Sequence, residues 1–389
     1  MRRPPASALL LAALSILGQA AAGPSAQAQA ASQDAWGTEG WTGHINVVNA
    51  VLFLPDGKTA VSGGWDEHIF FWDAASGKAR KFIETGMRRC VSSIALSADG
   101  RRVMAGSWDP SVKMWDIASG KELMTLQPRA SPGTDRRGRA HTIQGHTGPV
   151  EAVAFLPDGK QALSAGWDKT IVLWNLDRRR QEGAWKGHAD KITSLSVSRD
   201  GLRAVSGSWD KTVKIWDVRS ERVLAECRGH TKTVTGVAFR SQGDAVLSSS
   251  EDGLIKLWDA STGRELASWR GHQGVVHGVA FSSDGSLALS AGEDRTVRLW
   301  RAASGECLGV WKGHSEPVKA VAFSLDGKKA ISGGWDRSVR VWDVATGKTL
   351  AVGLPHPFKL NGPQKGLPGD ARPPASIASP EGRRRGRQP

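Results

Sequence analysis

Tyrosine is absent from the 389 residues, and cysteine occurs only at Cys90, Cys227 and Cys307. Three scattered thiols exclude a disulfide framework, and without a Cys-x-x-Cys-His there is no covalent haem attachment. No Cys/His cluster has zinc-ligand spacing, so no metal site is expected. A Gly-rich phosphate loop and a solitary activated nucleophile are also missing, and no cofactor is expected. Acidic residues are in deficit: 38 Asp and Glu face 52 Lys and Arg, a formal net charge of +14.

What is abundant is glycine, with 46 residues, and tryptophan, with 17. Such a bias is expected when one sequence unit is copied many times. The first thirty residues stand apart. Arg2 and Arg3 precede "ALLLAALSILGQAAA" and then "AQAQA". A positive start, a short apolar middle and an A-x-A site read as a secretory signal over residues 1–30, cleaved after Ala28 or Ala30. An uncleaved anchor or a disordered leader is the alternative. The apolar stretch is too short and too rich in alanine to span a membrane comfortably, so no span is expected in the mature chain. No cysteine follows it, which argues against a lipoprotein. Cleavage would remove two arginines and no acid, leaving a net charge of +12. The chain is therefore expected in the periplasm or outside the cell.

Part of the basic surplus lies in an insertion at 128–141, "PRASPGTDRRGRAH", and in a tail at 360–389 that ends "EGRRRGRQP". Both are rich in Pro, Gly and Arg and read as flexible. Basic charge favours acidic partners, such as an anionic envelope component. A solvated surface is the plainer reading. Export would separate the chain from most nucleic acid, so none is expected as a partner.

Internal repetition dominates the remainder. Trp72, Trp115, Trp174, Trp216, Trp258, Trp300 and Trp342 follow one another at steps of 43, 59, 42, 42, 42 and 42 residues. The long step contains the basic insertion. His44, His146, His188, His230, His272 and His314 each follow a glycine and each lie 28 residues before their tryptophan. Between them recur "LPDG", "SADG", "SRDG", "SSDG" and "SLDG". Each unit offers four short strands: an apolar one such as "PVEAVAF", a D-G-type hairpin, "QALSAG", an Asp-centred turn, "KTVKIWD", and a last strand such as "ELASWRGH".

Over residues 36–356 this pattern resembles the WD40 repeat family, in an exported, bacterial-type, seven-repeat form. The Trp is followed by Asp in five units and becomes Trp174-Asn175 and Trp300-Arg301 in two. The resemblance implies an all-β, seven-bladed β-propeller with four-stranded antiparallel blades, an architecture that leaves few strand edges exposed. Its closure can be read two ways. "GWTGH" (40–44) and "GKTLAVGLPH" (347–356) both look like fourth strands, and seven blades need only one of them.

His188, Ser206 and Asp210 have the composition of a nucleophilic triad. So do His44, Ser62 and Asp66; His146, Ser164 and Asp168; His230, Ser248 and Asp252; His272, Ser290 and Asp294; His314, Ser332 and Asp336. One active site suffices for an enzyme, and six identical sets point to architecture. The resemblance implies a network running from the turn Asp through His and Ser to the strand Trp. In the second unit Met87 replaces His and Ala105 replaces Ser, while Asp109 and Trp115 remain. That blade is expected to be the softest.

Chain direction alternates across a blade, so the Gly-His connections and the Asp turns share one rim. Trp65, Trp108, Trp167, Trp209 and Trp335 each precede a turn Asp, with Glu251 and Glu293 at the same place in two units. An aromatic arc with an acidic gap is expected there. The indoles read either as inter-blade staples or as a recognition surface, and the two can coexist. Five residues after the Gly-His stand Asn49, Glu151, Thr193, Thr235, His277 and Lys319, expected near the same mouth of the central channel. The leading functional reading is a non-enzymatic exported scaffold, monomeric alone, that binds a protein or peptide through this rim. The alternatives are envelope polysaccharide or other ligand binding by the Trp arc, and an accessory subunit of a periplasmic enzyme.

Overall fold

A computed structural model describes residues 43–127, 133–134, 140–141 and 145–356. Seven four-stranded antiparallel sheets occupy 48–84, 91–126, 150–186, 192–227, 234–270, 276–312 and 318–353, numbered here as blades 1 to 7. Strands follow chain order within every blade. The first strands are innermost, each packed on the first strand of the next blade, and blade 1 meets blade 7 to close the ring. The fold is the seven-bladed propeller that the repeats imply.

Side-chain alternation explains why the sheets stack. In blade 1 the second strand, Thr59–Gly64, is buried at every position, and the third, His68–Asp73, at all but its ends. A sheet covered on both faces needs apolar or small residues at consecutive positions. Burial is shared between blades. There are seven apolar clusters among the described residues, and each spans two neighbours. One joins Val205, Val213 and Ile215 of blade 4 to Val234, Val246 and Trp258 of blade 5. The seam cluster joins Phe70, Trp72 and Phe82 of blade 1 to Ile331, Val339 and Val341 of blade 7.

The ring closes through its C-terminal segment. Thr349–Gly353 pairs with Val339–Asp343 as the fourth strand of blade 7. Residues 43–47, ahead of the first strand, join no sheet. This segment is tied to the C-terminal end instead, where the His356 amide donates to the His44 carbonyl at 3.1 Å. Residues 36–42, the leader at 1–30 and the tail at 360–389 lie outside the described residues. The insertion at 128–141 contains a short antiparallel ladder, Ala140 opposite Thr134 and His141 opposite Gly133. Its other positions also lie outside the described residues.

One turn departs from its equivalents for a simple reason. The residue after the turn Asp has a left-handed backbone in six blades, as at Lys211 (φ 69°) and Gly253 (φ 81°). In blade 2 that residue is Pro110, whose ring fixes φ near −65°. The turn there closes from the Ser111 amide to the Asp109 carbonyl instead.

Candidate functional site

The His/Ser/Asp sets lie inside the blades. In blade 4 the Trp216 indole N–H donates to Ser206 Oγ at 2.8 Å, Ser206 Oγ is 2.7 Å from His188 Nε2, and His188 Nδ1 is 2.8 Å from Asp210 Oδ2. The indole can only donate and an ionised carboxylate can only accept. The direction of the chain follows: the serine hydroxyl donates to Nε2, and Nδ1–H donates to Asp. Asp210 also accepts from the Ala189 amide at 2.9 Å. Blades 1, 3, 5, 6 and 7 repeat the chain, with Ser–His distances of 2.7 Å throughout. All six serines are fully buried, so no substrate can reach their hydroxyls. These sets hold blades together and are not nucleophiles. The same chain explains the glycine before each His. A Cβ on Gly187 would lie 2.8 Å from the Trp216 ring, so the indole needs that bare backbone.

Blade 2 keeps Asp109 and Trp115 and loses the His and the Ser. Met87 and Ala105 are fully buried and join Trp115 in an apolar cluster with Val61, Ile69 and Phe71 of blade 1. Asp109 still accepts from the Arg88 amide at 2.9 Å.

Burial tends to raise the carboxyls of Asp252 and Asp336, but the bonds from His230 and His314 and from backbone amides outweigh it. Both are held down to about 2, below the ordinary carboxylate value. A depressed folded-state value stabilises the fold at pH values above the unfolded value, and that stability is lost as pH falls through the folded one. The thermal midpoint is therefore expected to drop between about pH 4 and pH 2. A pH series of melts checks this; Asp252→Asn should lower the plateau and flatten the acid limb.

The turn residues surround the mouth of the channel. Ring centroids run from Trp335 to Trp65 (6.4 Å), Trp65 to Trp108 (5.6 Å), Trp108 to Trp167 (5.7 Å) and Trp167 to Trp209 (6.4 Å). Five blades thus carry one unbroken crescent of tilted indoles, a geometry favoured by their quadrupoles. Each ring leans on the next blade's ring, so inter-blade contact and surface presentation coexist. Four are half-buried, and Trp209, at the end of the crescent, is 38% exposed. Lys191 Nζ lies over two faces, 3.7 Å from the Trp167 centroid and 4.3 Å from that of Trp209. Glu251 and Glu293 fill the remaining two places and are exposed.

Below the crescent, every first strand carries a β-bulge between its first and third residues. The bulged positions are Asn49, Ser92, Glu151, Thr193, Thr235, His277 and Lys319. A bulge re-aims one side chain out of the pleat. Four of these side chains donate to the first residue of the next blade: Asn49 to Val91 O (3.2 Å), Ser92 to Val150 O (2.6 Å), Thr193 to Val234 O (2.6 Å), and Thr235 to Val276 O. Ser92 has no Gly-His to mark it in the sequence, so the spacing rule missed it. The other three are ionisable. Glu151 Oε1 accepts from the Trp167 indole N–H at 2.7 Å, His277 Nε2 meets Glu293 Oε2 at 2.8 Å, and Lys319 Nζ is 3.4 Å from His277 Nδ1.

Electrostatics in the mouth follow from crowding. Burial pushes Glu151 up to about 7, against the pull of the Trp167 N–H and the charge of Lys319. Burial and the neighbouring Lys319 charge push His277 down to about 4, although Glu293 favours its cation. Lys319 is lowered by burial, with Glu151, Glu293 and Glu251 opposing at longer range. Elsewhere, burial raises the thiols of Cys90 and Cys227 to about 12, which makes them inert. Among the described residues no group of three or more His, Cys, Asp or Glu side chains is placed to hold a metal ion. No helix among them is long and apolar enough to cross a membrane.

The family model described as "WD domain, G-beta repeat" matches residues 37–73, 80–116, 138–175, 179–217, 221–259, 263–301 and 305–343. Over 36 residues the chain is 53% identical to "DDB1- and CUL4-associated factor 13" of Dictyostelium discoideum. That match spans 9% of this chain and 8% of the relative's length, about one repeat.

Proposed function

This chain belongs to the WD40 repeat family, and from that premise we propose that it is an exported, non-enzymatic scaffold that holds a protein or peptide partner on its Gly-His rim. The observation that carries the reading is the crescent of five indoles facing the Glu251/Glu293 gap around the channel mouth. Partner surfaces concentrate their binding energy in aromatic anchors, Trp above all. Crescent and gap together offer apolar area and charge on one rim. The leader at 1–30 supports delivery to the periplasm or beyond. Lys191 already occupies the faces of Trp167 and Trp209, which favours a peptide over stacked sugars at that end.

Affinity capture from envelope extracts tests the reading. The wild-type chain should be recovered with a new N-terminus after Ala28 or Ala30 and should retain a stoichiometric protein. Trp167→Ala/Trp209→Ala should lose that protein at least about tenfold, the loss of one to two anchors, with little change in thermal midpoint. Undiminished capture, or a collapse of stability without a binding defect, would reduce the indoles to staples.

A further inference from the structure

One lysine of the channel mouth has an unusual neighbour. Lys113, Lys214 and Lys256, on third strands, each end on a glutamate carboxylate, at 3.1, 2.9 and 2.7 Å. Lys319 ends instead on an imidazole: its Nζ lies 3.4 Å from Nδ1 of His277 on the preceding blade. The other ring nitrogen, Nε2, is 2.8 Å from Glu293 Oε2. An ionised carboxylate can only accept, so Nε2 carries the proton and Nδ1 presents its lone pair to Lys319. A carboxylate thus orients an imidazole, and the imidazole holds an amine. Nucleophile, proton acceptor and orienting group stand within hydrogen-bond reach, the arrangement that activates a nucleophile. The six His/Ser/Asp sets are sealed inside the blades, but this one is not. Lys319 is half-buried, and the side chain of Glu293 is 51% exposed. Burial favours the neutral amine of Lys319 over its ammonium and keeps His277 neutral, with its lone pair available.

From this cluster we infer that Lys319 is a reactive amine that captures a small aldehyde as an imine, with His277 as its proton acceptor and Glu293 as the residue that positions His277. The Lys319 ammonium first loses a proton to solvent. Its lone pair then forms the N–C bond to the carbonyl carbon, while the C=O π pair moves to oxygen, which takes a proton from solvent. His277 Nδ1 removes a proton from the nitrogen to give the neutral carbinolamine. It returns that proton to the hydroxyl, which leaves as water as the nitrogen lone pair closes the C=N bond. The product is a protonated imine, and nothing is oxidised or reduced. The adduct is reversible and stoichiometric, so the chain acquires a covalent ligand and not a turnover. This capture does not depend on a peptide partner at the rim.

Propanal with sodium cyanoborohydride is the probe, since the hydride reduces a protonated imine to a stable propylamine. The full chain is treated near neutral pH with limiting aldehyde, and chymotryptic peptide mass spectrometry follows each lysine. Lys319 should be alkylated at least about tenfold faster than the exposed Lys58 and Lys78, a ratio well inside what a positioned base contributes. Lys256, held by Glu265, should lag behind both. His277→Gln keeps an acceptor for the amine but cannot take its proton, and should bring Lys319 down to the rate of Lys58. Glu293→Ala should slow Lys319 and release the fixed His277 tautomer, read by nitrogen-15 NMR of the imidazole; Glu293→Gln, which retains an acceptor for Nε2–H, should restore both. In the wild-type chain, alkylation of Lys319 no faster than that of Lys58 overturns the site, whatever the variants do. An undiminished rate in His277→Gln overturns it as well. Neither result touches capture by the Trp167 and Trp209 variants, so failure of this site and failure of the rim reading remain distinguishable.

Discussion

Ser206→Ala should lower the free energy of unfolding by about 2–6 kcal/mol, because it strands two buried groups at once, each at about 1–3 kcal/mol. Ser206 Oγ accepts the Trp216 indole N–H and donates to His188 Nε2, and both partners are buried. The informative variant is the double one, His188→Met/Ser206→Ala. Blade 2 already carries this solution in Met87 and Ala105, packed with Trp115 and with Asp109 still bound to the Arg88 amide. Removing both ends of a polar pair costs much less than orphaning one. The double variant should therefore lose less than the two single losses combined, with a coupling of about 1–3 kcal/mol. Denaturant melts of the four proteins measure it. Strict additivity would mean that the chain of bonds does not act as a unit. The same comparison bears on the expectation that blade 2 is soft: an apolar exchange at both positions removes the need for the bonds that it lacks.

Repetition made the architecture legible. Seven copies in register place strands, turns and rims without any one copy being decisive, and the six His/Ser/Asp sets lie on one spacing. The turn indoles could be assigned to a rim because chain direction alternates. Their mutual contact could not be read, since it depends on the ring radius and on the tilt of each blade. The bulges were hidden for a related reason. A bulge changes which way one residue points without changing the apolar alternation on either side of it. Position five after Gly-His was visible as variable, but nothing local said that Thr193 would donate to Val234 while Lys319 would meet His277 of the neighbouring blade. Lys191 carried no signal at all, since its role comes from two indoles on different blades. Pro110 was a legible signal left unread: a proline where neighbouring copies need a left-handed residue announces a different turn.

Two further inter-blade staples join fourth strands to the third strands of the next blades. Trp269 stacks on Trp300 at 5.8 Å, and Trp311 stacks on Trp342 at 5.7 Å, each reaching from a fourth strand to the third strand of the next blade. Trp311 is covered by the turn at Gly347 and is only 5% exposed. Gly347 has φ 69°, and a Cβ built on it would lie 2.5 Å from the Trp311 Nε1 and 2.6 Å from its Cδ1. Gly347→Ala therefore meets two penalties. A left-handed alanine costs about 1–2 kcal/mol. Displacing a packed indole costs about 1–3 kcal/mol more. A loss of about 2–5 kcal/mol follows on adding the two terms. Trp311→Ala/Gly347→Ala separates them: with the indole gone, the glycine substitution should add only its backbone share. Gly327 supplies the control, since it has φ 68° with nothing within 4 Å of a built Cβ. Gly327→Ala should show the backbone share alone. Equal losses at Gly347 and Gly327 in urea melts would remove the indole from the account and leave the outer tryptophans without a stapling role.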